Sequence, residues 1–297
     1  MKRFRMGELY RYARPALPEV LEIDGISNFH YVVAAPGSPS LQLERRINAP
    51  SVTRAIDGDR VAVVLLASNE HKRGSMENPW HDTLAPDEGF ARYFGDNRTP
   101  DVDPGTAIGN RTLLRQFEFH TSPDQGKRER AAPVLLFRST KKGFKEFSGL
   151  ALIVGARRVT QFSEKNGGFF TNYLFDLAVL SLTEEDESLA MLWIHDRRDP
   201  SRACGVANAM APKAWQRWVK FGSPEIERIK RRVARYHILP KRDQVAPVSS
   251  EGGKTLEAIY RFYEPKRHRF EALASLACES MVRGTGAEYH RGWLRMV

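Results

Sequence analysis

A carboxylate set among flat rings and glycines is the grouping in this sequence with the most chemistry in it. Tyr93-Phe94-Gly95-Asp96-Asn97 places two aromatic faces beside Asp96, and Gly95 permits close backbone approach. Such a set can hold a planar heterocycle, with the rings stacking and the carboxylate accepting from an exocyclic amine. A cytosine turned out of a duplex fits that description, and a methyl group on it would need only a small apolar wall. The same residues also make a good turn in which Asp96 satisfies nearby backbone. Composition alone leaves both readings open.

Bond-breaking chemistry has weaker support. A metal-dependent nuclease needs an Asp and, further on, an (Asp/Glu)-x-Lys brought to the same metal. Asp59 followed by Glu70-His71-Lys72 is a formal match. The span between them is dominated by the apolar run Val61 to Ala67, and a straight strand at ~3.3 Å per residue would hold the two carboxylates more than about 30 Å apart. The chain has no GxSxG elbow, no P-loop and no HExxH or HxxxH spacing. Cys204 follows His195 at a distance that suits a packed thiol better than a nucleophile with its base. Cys204 and Cys278 form no CxxC pair, which fits a reducing cytosol and argues against a zinc or disulfide framework. No secretory signal and no apolar run of bilayer length is present, so a cytoplasmic location is expected.

The elements that must position these residues divide into a β-rich first part and a helical second part. Asn78 to Asn110, rich in Pro, Gly, Asp and Asn yet carrying Trp80, Phe90, Tyr93 and Phe94, is expected to be one long ordered binding loop. Strands are expected at Tyr31 to Ala35, Val61 to Ala67, Thr112 to His120, Val134 to Phe137, Leu150 to Val154 and Phe169 to Leu182. Lys141-Lys142-Gly143 marks a hairpin turn, with Lys145 just beyond it. From Thr183 the texture changes. Helices are expected from Thr183 to Asp199, with Thr183 as cap, at Ala211 to Phe221, and from Ser223-Pro224 onward. Pro240 to Gly253 has linker composition, and two further helical stretches, Leu256 to Tyr263 and Phe270 to Met281, follow it.

The net charge of +10 is concentrated. Between Arg197 and Ala246 thirteen basic residues face four acids, so +9 of the +10 lies in that segment. Clustered positive charge is the footprint of a phosphate-backbone partner, although a solvated helix face carries the same composition.

Asn78-Pro79-Trp80, the run Arg92 to Pro100, Gly109 to Leu114, Pro133 to Phe137, Phe147 to Leu150 and the Asn172-Tyr173 strand occur in a fixed order. Together they resemble the N-terminal recognition domain of the AspBHI/MspJI-like modification-dependent restriction endonucleases, over roughly residues 20–240. The resemblance implies an α+β chain with a curved, barrel-like β-sheet domain of the SET-and-RING-associated (SRA-like) kind. That domain flips 5-methylcytosine out of double-stranded DNA. Arg269 to Trp293 resembles the opening helix and strand of the Mrr-like nuclease domain that follows in such enzymes. The metal-binding Asp and Glu/Gln-x-Lys of that domain are not found before Val297.

The expected organisation is therefore a recognition domain with basic helices over 1–240, a linker over 241–253 and the start of a nuclease domain over 254–297. Asp96 is expected to accept from the flipped base, with Trp80, Tyr93 or Phe94 stacking and Asn97 alongside. Lys141, Lys142 and Lys145 would line the groove, and Arg228, Arg231, Arg232 and Arg235 would contact phosphates. No catalytic residue, metal or cofactor is assigned within the chain, and Mg2+ is expected only for a downstream nuclease domain. Flanking-base preference and homo-oligomerisation stay open. So do two other readings, a non-catalytic binder of RNA or unmodified DNA, and a small nuclease built on Asp59, Glu70 and Lys72.

Overall fold

Runs of branched aliphatic residues too short for helices build the centre of the molecule. A computed structural model describes residues 2–228 apart from 45, 69–81, 87–88, 98, 101, 164–167 and 181–187. In chain order its elements begin with β1 (Arg3–Phe4), β2 (Leu9–Arg11), β3 (Glu22–Ile23), β4 (Ile26–Ser27) and α1 (Phe29–Val33). Then come β5 (Ile47–Asn48), β6 (Ser51–Val52), β7 (Arg60–Val61), β8 (Val64–Ser68), β9 (Thr83–Ala85) and β10 (Phe90–Phe94). After α2 (Ile108–His120) and α3 (Gln125–Arg130) follow β11 (Val134–Ser139), β12 (Phe144–Ser163), β13 (Gly168–Leu180) and β14 (Leu189–Ala190). The elements α4 (Met191–Arg198), α5 (Cys204–Ala207) and α6 (Lys213–Phe221) come last, and residues 223–228 are again helical.

The main sheet runs β5-β8-β11-β12-β13-β10-β9, with β2 added on β12. It is mixed: β8 and β11 run parallel and their neighbours antiparallel. Strands β5 and β9 are its two ends, so among the described residues the sheet stays open and the expected barrel-like closure is absent. Register shifts at Leu136/Phe137 and Ile153/Gly155 interrupt the ladders of β11 and β12, as extra residues do where a strand must bend.

Val64, Leu66, Val134, Leu136, Ala151, Ile153, Phe175 and Leu177 form the core together with Leu113 of α2. A second apolar cluster joins Phe4, Tyr10, Phe29, Phe137 and Phe147, with ring centroids 4.9–5.8 Å apart. Trp193, Trp215 and Trp218 make a third, with Trp215 and Trp218 edge-on to the His120 ring.

Four expectations are corrected here. Thr112 to His120 is helix, not strand. The apparent alternation is overridden by a helical period, since the buried side of α2 is Asn110, Leu113, Gln116 and His120. Tyr31 to Ala35 is not a strand either, because Asn28 accepts from the His30 backbone N–H and starts α1. The stretch Asn78 to Asn110 is not one loop. Pro86 and Gly89 close a turn with Gly89 at φ 66°, and β9 and β10 pair around it within the sheet. Within the helix expected from Thr183, Leu189–Ala190 is instead a strand paired with β1 and α4 starts at Met191, while residues 183–187, with the expected cap, lie outside the described residues.

The chain divides into two compact units, Met1–Ile226 and Glu227–Val297. The expected linker at 241–253 and the segment 254–297 lie outside the described residues.

His120 ties α2 to the sheet. Its Nε2 faces the Ala132 carbonyl at 3.0 Å, and its Nδ1 accepts from the Ile153 N–H at 2.9 Å. Only the neutral ring makes both bonds, and burial pushes its pKa down to about 4. Because the folded value lies below the unfolded one, the stabilisation is full above about pH 6.5 and is lost as pH falls through about 4. We predict that acidification from pH 7 to pH 4 removes about 3 kcal/mol through this ring, and that His120→Gln flattens the corresponding slope in urea unfolding. Equal slopes in the two proteins would refute this.

Candidate nucleic-acid interface

The hinge between β10 and α2 is fixed by side chains that act on backbone. Ala107, at the start of α2, offers no cap of its own. Asp96 supplies one from thirteen and fourteen residues upstream: its two carboxylate oxygens accept from the Gly109 and Asn110 N–H groups, both at 3.0 Å. Asn110 returns the bond by accepting from the Asp96 N–H, and its amide donates to the Pro104 carbonyl and to Asn172. Asn172, wholly buried on β13, donates to the Gly95 carbonyl. Space is tight here. A Cβ on Gly95 would lie 1.7 Å from Asn110 Oδ1, and one on Gly109 would lie 2.5 Å from Asp96.

Asp96 and Asn97 are thereby placed as joints. Asn97 donates to the Thr171 and Thr99 carbonyls. The acceptor role expected of Asp96 meets a carboxylate already engaged at both oxygens. Asp96→Ala should cost about 1–2 kcal/mol of stability, as loss of a helix cap does, and should leave any ligand discrimination intact. Thermal unfolding together with a binding titration separates the two effects. Loss of discrimination at unchanged stability would overturn the assignment.

Tyr93 and Phe94 face other company. Tyr93 is fully buried, and its hydroxyl donates to the Arg46 carbonyl at 2.8 Å and to the Ala67 carbonyl at 3.3 Å. Burial holds its phenol well above the ordinary range. Phe94 packs with Leu174 and Val159. Thr83 pairs with Arg92, so the antiparallel register brings Asp82 to the level of Tyr93. Asp82 accepts from the Phe94 N–H at 2.9 Å and from Arg46 Nη2 at 2.5 Å. The Arg46 guanidinium also lies 4.8 Å from the Tyr93 ring centroid. A ring, a carboxylate and a cation thus meet at one point, which is the grouping sought at Asp96 but found one strand away. The usable signal was Asp82 itself, within the Asn78 to Asn110 stretch and one hairpin from Tyr93. Arg46 had none. Trp80 lies outside the described residues.

Arg46 and Ala67 also line a cavity of about 780 Å³ whose other walls include Tyr12, Arg14 and the β11–β12 turn. Lys141, Lys142 and Lys145 all reach it, so the structure brings together the three lysines singled out in the sequence. Lys141 is exposed, and Lys142 with it. Lys145 donates to Ser139 Oγ at 2.6 Å, and burial lowers its pKa. With Arg11, Arg14 and Arg46 the described lining holds six cations against a single carboxylate, Glu44, which pairs with Arg14. Such a wall concentrates anions.

Arg228 is exposed at the end of the last described helix, whereas Arg231, Arg232 and Arg235 lie outside the described residues. Of the alternative nuclease set, Asp59 accepts from the Arg54 N–H, and Glu70 and Lys72 are not described. Cys204 is buried with its thiol pKa pushed up by that burial, the opposite of an activated nucleophile.

A family model described as the N-terminal region of restriction endonuclease AspBHI matches residues 50–230. Among solved structures, the MspJI restriction endonuclease in complex with a 27-mer oligonucleotide is 35% identical, with TM-score 0.72 over 97% of this chain and 67% of that one. The modification-dependent endonuclease AspBHI matches at 23% identity and TM-score 0.46, covering 59% of this chain and 76% of that one. The DNA recognition domain of LpnPI, a cytosine modification-dependent endonuclease, matches at 18% and 0.48, covering 73% and 88%. Comparison with curated proteins gives no match.

Proposed function

The chain belongs to the family of AspBHI-type restriction endonuclease N-terminal domains, and from that premise we propose that it recognises double-stranded DNA carrying 5-methylcytosine by extruding the modified base. Tyr93 supplies the stacking face and Asp82 accepts from the exocyclic amine. The lysines of the β11–β12 turn hold the phosphates nearby, and the basic residues from Arg228 to Arg235 add sequence-independent affinity. The observation that carries this reading is the meeting of Asp82 and Tyr93 with Arg46, which itself lines a cationic cavity large enough for a nucleotide.

The test is a titration of the full chain with duplexes differing only in methylation of one cytosine, at matched salt. Tighter binding of the methylated duplex supports the reading, and equal affinities eliminate it, because the phosphate contribution is common to both. The lysines give a second, separable expectation. Lys141→Ala and Lys142→Ala should each reduce the slope of log K against log salt by about one and weaken both duplexes alike. A change confined to the methylated duplex would place these lysines at the base instead.

A further inference from the structure

We propose that Arg46 is a resident occupant of the base site, holding in the DNA-free protein the place that the extruded base takes on binding. This rests on the assignment of Asp82 and Tyr93 to that site and goes beyond it by identifying what must leave.

Three features of Arg46 mimic a flipped cytosine. Its guanidinium is flat and lies over the Tyr93 ring, 4.8 Å from the centroid, where a heterocycle would stack. Its Nη2 donates to Asp82 Oδ2 at 2.5 Å, as an exocyclic amine would, while the other Asp82 oxygen is taken by the Phe94 N–H. The pair is almost dry, with the Asp82 side chain 1% and the Arg46 side chain 19% exposed. A base and this guanidinium cannot both use the same ring face and the same carboxylate oxygen.

The way Arg46 is held suits a group that leaves. Its Nε is buried with no hydrogen-bond partner among the described residues. Arg197 shows the contrast, since all three of its nitrogens donate to backbone or Asn208. The Arg46 main chain is pinned, because its carbonyl accepts from the Ala67 N–H and from the Tyr93 hydroxyl. Exchange need move only the side chain, whose Nη2 gives up Asp82 and the Phe94 carbonyl, the latter at 3.2 Å. It already forms part of the cavity wall beside Lys141, Lys142 and Lys145, so an expelled guanidinium enters a region built for phosphate. Asp82 is partnered both before and after the exchange, so neither end state carries a bare buried carboxylate. It also sets a threshold, because a base must offer more than Arg46 does. The added methyl contact gives a modified cytosine that margin.

The experiment compares the full wild-type chain with Arg46→Met, which keeps length and removes the donors, on three duplexes. These carry 5-methylcytosine, cytosine or an A·T pair at the target, each with 2-aminopurine beside it to report extrusion. Arg46→Met is expected to bind the methylated duplex at least tenfold more tightly. It should also raise 2-aminopurine emission on the unmethylated cytosine duplex, which wild type leaves dark, and leave the A·T duplex unchanged. Arg46→Lys keeps the charge but loses the flat face, and should show the same changes at roughly a third of that gain. Weaker binding of all three duplexes would make Arg46 a phosphate contact, and weaker binding of the methylated duplex alone would make it a base contact. Either result overturns the proposal, as does an Arg46→Lys chain indistinguishable from wild type. A wild-type chain with no methylation-dependent emission would instead bring down the underlying assignment of the pocket.

Discussion

Asp82→Asn is expected to lower affinity for a 5-methylcytosine duplex by about a hundredfold, while salt-sensitive binding of the unmethylated duplex stays within about twofold. The asymmetry follows from the hydrogen bonds. The Phe94 N–H fixes one oxygen of the side chain as an acceptor. An asparagine that keeps this bond must turn its NH2 toward the base, where the exocyclic amine also donates. Two donors then face each other in a dry site, a mismatch of about 3 kcal/mol, which converts to the expected factor. Phosphate contacts do not involve this residue and persist. Fluorescence anisotropy at two salt concentrations reads both terms, with circular dichroism to show that the variant is folded. Discrimination that survives the substitution would remove Asp82 from the site.

The second large effect concerns stability. Arg197 is wholly buried, and burial lowers its pKa. It is held by the Ala62 carbonyl at 2.9 Å, the Ala131 carbonyl at 2.7 Å and Asn208 Oδ1 at 3.1 Å. It thereby joins α4 both to the turn between β7 and β8 and to the segment leading into β11. Arg197→Met is expected to cost about 3–5 kcal/mol, since it strands several buried carbonyls that no methionine can satisfy. In a domain of this size that is roughly 10 °C in Tm. Arg197→Lys should recover less than half of the loss, because one ammonium cannot span acceptors on three segments. A methionine variant within about 1 kcal/mol of wild type by urea unfolding would show that the guanidinium is dispensable.

Legibility in the sequence followed the range of the interaction concerned. Val134 to Phe137, Leu150 to Val154 and the part of Phe169 to Leu182 up to Leu180 were readable as strands because burial there acts on consecutive residues. The face bearing Trp215 and Trp218 was readable as a helix by its spacing. The start of α2 was not, since its cap is Asp96, thirteen residues before Gly109 in the loop after β10, and Ala107 carries no local signal. Asn28 did carry one, and the apolar run after it concealed the short helix it starts. The lysine turn was found because a hairpin is a local object. The Arg46–Asp82 pair was not, because it spans thirty-six residues and depends on which strands pair. Asp96 was singled out for its neighbours in the chain, whereas Asp82 stands out through its neighbours in space.

The crowding around Gly95, Gly109, Asn110 and Asn172 bears on how such a reading head could be transplanted. Moving residues 82–97 alone into a foreign scaffold would carry the ring and the carboxylate but abandon the partners that seat them. Any graft must therefore bring three separate stretches, with 108–110 and 172 travelling beside the first. A chimera exchanging only the contiguous piece should misfold at that junction well before its specificity could be measured.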